Sequence, residues 1–151
     1  MDRETKQTRM HAFEAQCRDQ GVRLTFQRRV ILEAALDLDD HPTADRVFET
    51  VAKRTPGVSR TTVYRTLETL VRMDVITKAP HPSSVARYDP RLETHHHLIC
   101  QHCDEVFDIS DARLDALPVP DTSALGFEVL DVRVQIRGVC RRCRASKEKT
   151  S

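Results

Sequence analysis

Two CxxC turns, Cys100–Cys103 and Cys140–Cys143, constrain the fold of this 151-residue chain more than any other feature. The fifth cysteine, Cys17, stands apart from both pairs. A two-residue spacer lets both thiolates of such a turn face one ion, and zinc prefers four soft ligands in a tetrahedron. In a reducing compartment, paired CxxC turns indicate zinc rather than disulfides. We therefore expect the turns to meet around one structural Zn²⁺ ion, with no coordination position left open for catalysis.

The composition is that of a soluble globular protein, because 39% of the residues are apolar and 31% are charged. These proportions exclude the low hydrophobicity that keeps a chain disordered. The net charge of +1 gives no electrostatic argument for a nucleic-acid partner. No apolar run approaches the roughly 18 residues of a membrane span, and the first residues lack the apolar core of a signal peptide. We expect a cytoplasmic protein without a membrane partner.

Helical spacing of apolar residues dominates the first half of the chain. A first helix is predicted to end at Gly21, and Thr25, Thr43 and Ser59 have the chemistry of N-caps for three more. The second helix is expected to use an apolar face formed by Phe26, Val30, Ile31 and Ala34. Two β-rich stretches, 75–78 and 85–88, follow on either side of a turn-forming segment at 80–84. This order predicts a winged helix-turn-helix domain over residues 1–88.

After Asp89 the pattern changes to strand-like alternation, which places a second domain at residues 89–151. Strands are predicted at His95–Cys100 and Glu105–Ile109, on either side of the first CxxC turn. Ser110 is the expected N-cap of a short helix. Glu128–Arg137 is the clearest predicted strand, because apolar and polar residues alternate along it. The fold class is therefore predicted to be α+β, with a small α/β domain after the winged helix.

A second candidate metal site consists of His41, Asp89, His95, His97 and Asp108. Imidazoles and carboxylates suit iron or manganese as well as zinc. Side chains alternate along a strand, so His95 and His97 share one face and His96 points the other way. Spacing alone does not connect the first two members to the other three, and a solvated histidine-rich edge is the alternative interpretation.

The predicted helix from Ser59 to Met73 carries hydroxyls and arginines near its N-terminal end, where a recognition helix meets bases and phosphates. Its candidate DNA contacts are Ser59, Arg60, Thr61, Thr62, Tyr64 and Arg65. The alternative is an ordinary amphipathic helix with a solvated polar face.

The chain resembles the ferric uptake regulator family over nearly its whole length. The segments that carry the resemblance are Gly21–Thr25 with Gln27 and Arg28, then His41–Asp45, Thr61–Leu67, and His95–Cys100 with both CxxC pairs. The resemblance implies a homodimer, a DNA-binding N-terminal domain, a C-terminal dimerisation domain, a structural zinc and a regulatory metal at the hinge. It adds Arg23, Gln27 and Arg28 to the expected contacts with double-stranded DNA.

Within the family, the chain is most similar to the peroxide-sensing, PerR-like branch. That similarity implies a regulatory Fe²⁺ or Mn²⁺ ion on His41, Asp89, His95, His97 and Asp108. Iron-sensing members more often have glutamate at positions 89 and 108, which makes an iron-responsive repressor the second interpretation. The chain also departs from many members, since Val132 stands where a further metal site uses histidine and His96 stands where iron sensors frequently have aspartate.

The mechanism implied is a repressor whose metal ties His41 to ligands of the other domain and locks the dimer on a palindromic operator. In the peroxide branch, iron and hydrogen peroxide oxidise a ligand histidine, here His41 or His95, and the DNA is released. Enzymes of two kinds are the remaining alternatives. A thiol oxidoreductase needs a CxxC thiolate free of zinc, and a metal hydrolase needs an open coordination position that five protein ligands leave little room for. We expect a regulator and no enzyme.

Overall fold

The computed structural model describes residues 1–38, 40–79 and 85–148. The chain divides into two compact units, Met1–Leu92 and Glu93–Ser151. The boundary predicted at Asp89 differs slightly from this division, because Asp89 is the last residue of a strand that belongs to the first unit.

The first unit has the helical order expected of a winged helix, followed by a two-stranded hairpin. Its elements are α1 (Arg3–Asp19), α2 (Phe26–Leu38), α3 (Ala44–Arg54), α4 (Arg60–Arg72), β1 (Thr77–Ala79) and β2 (Arg87–Asp89). The two strands pair antiparallel, with Lys78 opposite Tyr88. The turn predicted at 80–84 lies outside the described residues.

Local chemistry sets the helix boundaries of this unit. The hydroxyls of Thr25, Thr43 and Ser59 accept hydrogen bonds from backbone N–H groups three residues later, over 3.2, 3.3 and 3.1 Å. These bonds satisfy donors that a helix start leaves without an intrahelical partner. Gly21 follows α1 with a φ of +65°, a conformation that glycine adopts without a steric penalty. The three predicted caps are confirmed.

The core of the first unit is formed by one apolar face from each helix. Its fully buried members include Phe13, Ile31, Leu32, Val47, Val63, Leu67 and Leu70. One prediction about this core is wrong, because Phe26 has 68% of its surface exposed. Phe26 lies in the first turn of α2, and the buried stripe of that helix begins only at Ile31.

The second unit contains a small mixed sheet. Its elements are β3 (His96–Cys100), β4 (Val106–Ile109), α5 (Ala112–Asp115), a 3₁₀ turn (Ser123–Leu125), β5 (Gln135–Gly138) and α6 (Arg141–Glu148). The strand order is β4-β3-β5. β3 and β4 pair antiparallel, whereas β3 and β5 pair parallel. With the first unit, this confirms the α+β class.

Two predictions for the second unit are wrong. Only Gln135–Gly138 forms a strand where Glu128–Arg137 was expected, and Leu130 is 87% exposed. A strand needs a neighbour for its N–H and C=O groups, and the ladder with β3 includes β5 only from Gln135 onward. The short helix is capped by Asp111 rather than Ser110, because the carboxylate of Asp111 accepts from the N–H of Arg113 over 2.9 Å.

None of the helices within residues 1–38, 40–79 and 85–148 is both long and apolar enough to span a membrane.

Candidate metal centres and DNA interface

The four cysteines of the two CxxC turns lie together in the second unit. The sulfur atoms of Cys100, Cys103, Cys140 and Cys143 are all within 4.8 Å of one another. Cys103 Sγ and Cys140 Sγ are 3.7 Å apart. A tetrahedral zinc ion with Zn–S bonds of about 2.3 Å places its sulfur ligands about 3.8 Å apart. The cluster therefore fits a structural Zn²⁺ ion.

The parallel pairing of β3 and β5 brings these turns together. Cys100 is the last residue of β3 and pairs with Gly138, the last residue of β5. The first CxxC turn begins at Cys100 and the second begins two residues after Gly138, so the two turns start side by side. The N–H of Cys140 donates to Cys100 Sγ over 3.3 Å. This N–H, followed by that of His102, lowers the pKa of the Cys100 thiol to about 6. The thiolate is the form that binds a metal, so Cys100 is prepared as a ligand at neutral pH.

In the first unit, His41 and Asp89 form a buried pair. His41 Nε2 and Asp89 Oδ2 are 3.6 Å apart, and both side chains are almost inaccessible to solvent. The other carboxylate oxygen of Asp89 accepts from the N–H of Arg91 over 2.8 Å. His41 has a φ of +54°, which is uncommon for a residue other than glycine. Buried imidazole and carboxylate groups of this kind suit a divalent first-row metal.

In the second unit, the buried rings of His95 and His97 and the half-buried carboxylate of Asp108 form a group on one face of the sheet. Asp108 Oδ1 lies 3.4 Å from His95 Nε2 and 3.8 Å from His97 Nε2. The Nδ1–H of His95 donates to the carbonyl oxygen of Glu93 over 2.7 Å, because a carbonyl can only accept. In the neutral ring, the lone pair is then on Nε2, on the side of the carboxylate. A backbone carbonyl that fixes the tautomer in this way is typical of metal-binding histidines.

His96 points away from this group, as strand alternation predicts. Its Nδ1 accepts from the N–H of Val134 over 3.1 Å, and its Nε2–H donates to the carboxylate of Asp115 over 3.0 Å. Both nitrogens are therefore engaged by the protein, and the ring is completely buried. Sequence analysis missed both partners, because nothing in the spacing connects these three residues.

Several of the predicted DNA-contacting residues line a polar groove on the first unit. A groove between the start of α2 and the exposed face of α4 is lined by Thr25, Gln27, Arg28, Thr62, Arg65, Thr66 and Thr69. Arg28 donates to the backbone carbonyl of Arg23, which holds its guanidinium beside the first turn of α2. Thr61 and Arg65 are exposed on α4. Hydroxyl and guanidinium groups of this kind are common phosphate contacts.

Asp45 engages two of the other predicted contact residues. Its Oδ1 accepts from the guanidinium of Arg60 and, over 3.2 Å, from the hydroxyl of Tyr64. The Arg60 guanidinium also lies over the Phe48 ring, 4.8 Å from its centroid. Ser59 uses its hydroxyl to cap α4. Asp45 was not predicted as part of this surface, although it immediately follows the capped start of α3.

Comparison with known proteins agrees with this combination of fold and sites. The ferric uptake regulator family matches residues 19–137. The peroxide-responsive repressor PerR of Staphylococcus saprophyticus is 30% identical over 126 residues, which cover 83% of this chain and 85% of the relative. A zinc-bound manganese uptake regulator of known structure is 29% identical, with a TM-score of 0.67 over 84% of this chain and 97% of its own.

The known structure of the Helicobacter pylori ferric uptake regulator Fur has a similar fold. The TM-score is 0.76, with 95% of this chain and 97% of the other chain covered, at 19% identity. The Helicobacter structure is described as revealing three functional metal-binding sites. The match to residues 19–137 covers most of the sequence, and the four-cysteine cluster fits the zinc expected from it. The chain belongs to the ferric uptake regulator family, a family of metal-responsive DNA-binding transcriptional regulators and not of enzymes.

Proposed function

We propose that this protein is a peroxide-sensing transcriptional repressor that acts in the cytoplasm as a homodimer on a palindromic DNA operator. The observation that carries the proposal is the arrangement around His95, whose ring is fixed by the Glu93 carbonyl so that Nε2 faces Asp108. The carboxylates of both groups come from aspartate, the residue favoured by the resemblance to the peroxide branch. The similarity to a peroxide-responsive repressor supports the same assignment.

The proposed regulatory metal is Fe²⁺ or Mn²⁺, bound by His41, Asp89, His95, His97 and Asp108. The pair in the first unit and the trio in the second each supply fewer than the roughly four to six donors that such ions use. One ion that takes ligands from both groups would satisfy its coordination and tie the DNA-binding unit to the second unit. DNA binding would then depend on the metal.

The proposed homodimer is supported by apolar side chains that the second unit leaves in solvent. Leu125, Phe127 and Leu130 are 82%, 63% and 87% exposed. The three residues lie within six positions of the chain, and a contiguous exposed apolar patch commonly marks a protein interface. In a dimer, each subunit would offer one α4 to one half-site of the operator.

Bound Fe²⁺ would supply the reducing chemistry that activates hydrogen peroxide. The imidazole of His41 or His95 gains one oxygen atom, the second peroxide oxygen leaves as water, and the ring is oxidised by two electrons. An oxidised imidazole no longer offers the same nitrogen donor. The metal would then lose a ligand, and the metal-dependent affinity for DNA would fall.

The test is peptide mass spectrometry of the Fe²⁺ protein with and without peroxide, combined with a DNA-binding assay. We expect one added oxygen at His41 or His95 together with DNA release. The Mn²⁺ protein should bind DNA and resist oxidation, since Mn²⁺ does not readily reduce peroxide. If no histidine is oxidised and DNA is released only when iron is chelated, the protein is an iron-responsive repressor instead.

A further inference from the structure

We propose that Tyr88 couples the His41–Asp89 pair to the recognition helix through its hydrogen bond to Glu68. The inference rests on the proposed function, because it assigns a positioning residue to metal-dependent DNA binding. All of the contacts that carry it lie within the first unit. They form two successive links, one from the metal-binding pair to β2 and one from β2 to α4.

The first link attaches β2 to the segment that carries His41. The N–H of Tyr88 donates to the carbonyl oxygen of Pro42 over 3.0 Å. The guanidinium of Arg87 donates to the carbonyl of His41 over 3.3 Å, and Thr43 forms a β-bridge with Arg87. Since Asp89 is the next residue of the same strand, β2 moves with both members of the pair.

The second link attaches β2 to α4. The hydroxyl of Tyr88 donates to Glu68 Oε1 over 2.9 Å, and the ammonium of Lys78 donates to Glu68 Oε2 over the same distance. Lys78 and Tyr88 face each other across the hairpin, so both strands bind one carboxylate of α4. The ammonium of Lys78, and to a smaller extent the Tyr88 hydroxyl, hold the pKa of Glu68 below its ordinary value. The carboxylate stays ionised, which strengthens both bonds.

The position of Glu68 makes this link relevant to DNA binding. Glu68 lies one helical turn after Tyr64 and Arg65, which are proposed DNA contacts on α4. The Tyr88 ring is only 2% exposed and packs within the core that supports α4. A buried aromatic ring has few rotatable bonds and is closely packed, so a displacement of β2 also displaces the residues that contact the ring. A shift of β2 when the metal binds is therefore transmitted to the helix that contacts DNA.

The test compares Tyr88→Phe with the wild-type protein, because phenylalanine keeps the buried ring and removes only the hydroxyl. DNA affinity is measured with and without Mn²⁺, using a duplex selected from a random-sequence pool by the Mn²⁺-loaded protein. The ratio of the two affinities is the coupling factor, which for allosteric proteins is about 5 to 150. We expect Tyr88→Phe to reduce this factor at least threefold. Linkage requires that the enhancement of Mn²⁺ affinity by the duplex falls by the same factor.

Two further variants separate coupling from stability. Lys78→Met removes the other partner of Glu68, an exposed ion pair, and should reduce the coupling factor less than Tyr88→Phe does. Glu68→Ala removes the same bond as Tyr88→Phe from the α4 side, so the effects of the two variants on the coupling factor should not add. Glu68→Ala also serves as the test if Tyr88→Phe fails to fold.

The outcomes distinguish this inference from the proposed function. If the wild-type protein binds the duplex equally with and without Mn²⁺, both are wrong. If the wild type depends on Mn²⁺ and both Tyr88→Phe and Glu68→Ala keep its coupling factor, the role of Tyr88 is wrong and the proposed function stands.

Discussion

The backbone N–H of Val134 donates to Nδ1 of His96 over 3.1 Å, which attaches the segment before β5 to the middle strand of the sheet. The other nitrogen of His96 donates to Asp115 in α5. One imidazole therefore joins three parts of the second unit. Although His96 lies on the face opposite His95 and His97, its hydrogen bonds make it important for the stability of the second unit.

We expect His96→Ala to destabilise the protein by about 2–4 kcal/mol, because it leaves a cavity and a partly buried N–H without its acceptor. His96→Asn retains an acceptor near the position of Nδ1 and should recover part of that loss. Urea unfolding of the zinc-loaded protein measures both. An unfolding midpoint for His96→Ala equal to that of the wild type would show that the hydrogen bonds of His96 do not hold the unit together.

The four-cysteine cluster predicts that Cys100→Ser and Cys140→Ser each lose the zinc and much of the folding stability, since metal binding contributes directly to folding. Zinc content per chain and the melting temperature are the measurements. Cys17→Ala is the matched control, because Cys17 is buried in the core of the first unit and should affect packing without changing zinc content. A Cys100→Ser variant that keeps a tightly bound zinc ion would contradict the assignment.

The groove between α2 and α4 predicts that Arg28→Ala and Arg65→Ala weaken DNA binding without unfolding the protein. Each lost phosphate contact should also reduce the slope of log affinity against log salt by about 0.9 per subunit. Lys53→Ala removes the same charge from the last turn of α3 and is the control. Equal salt slopes for all three variants would indicate that the groove does not contact DNA.

The contacts of Asp45 give a prediction about selectivity. Asp45→Ala releases Arg60 and Tyr64 from a shared acceptor and removes a negative charge near the proposed interface. We expect this variant to bind random duplex DNA more strongly and to discriminate less in favour of the operator. The reason is that Arg60 and Tyr64, no longer held by Asp45, can contact different DNA sequences more equally. Competition between operator and random duplex at fixed salt measures the ratio. Asp45→Asn keeps one oxygen acceptor and should fall between the wild type and Asp45→Ala.

The sequence predicts those parts of the structure that depend on neighbours in the chain. The caps at Thr25, Thr43 and Ser59 satisfy N–H groups three residues away, so their chemistry is visible in the sequence. The alternation at 128–137 shows which residues would share a face, but it does not identify a pairing partner. The parallel pairing of β5 with β3 that begins at Gln135 depends on residues far apart in the chain.

Long-range contacts of single polar atoms were the hardest to foresee. Nothing in the spacing connects Tyr88 with Glu68 or His96 with Val134, because each pair depends on how distant elements pack. The ligand types, in contrast, were predictable. Cysteine pairs and alternating histidines restrict the chemistry of a site before the fold is known.

Asp108 Oδ1 lies near the Nε2 atoms of both His95 and His97. The register of β3 and β4 places Asp108 directly opposite His97, so aspartate reaches both imidazoles without extending into solvent. Asp108→Glu keeps the charge but adds one C–C bond of about 1.5 Å, which displaces the carboxylate relative to the two rings. We expect this variant to retain Mn²⁺-dependent DNA binding, because the donor types are unchanged.

If the carboxylate position sets how the iron is exposed to peroxide, the same variant loaded with Fe²⁺ should show severalfold less histidine oxidation at a given peroxide concentration. Peptide mapping measures the oxidised fraction of His41 and His95, and a DNA-binding assay measures release in the same samples. Asp108→Ala is the comparison that loses the carboxylate and should lose metal-dependent binding. Oxidation of Asp108→Glu at the wild-type rate, with intact DNA binding, would show that the choice of aspartate at this position does not determine peroxide sensitivity.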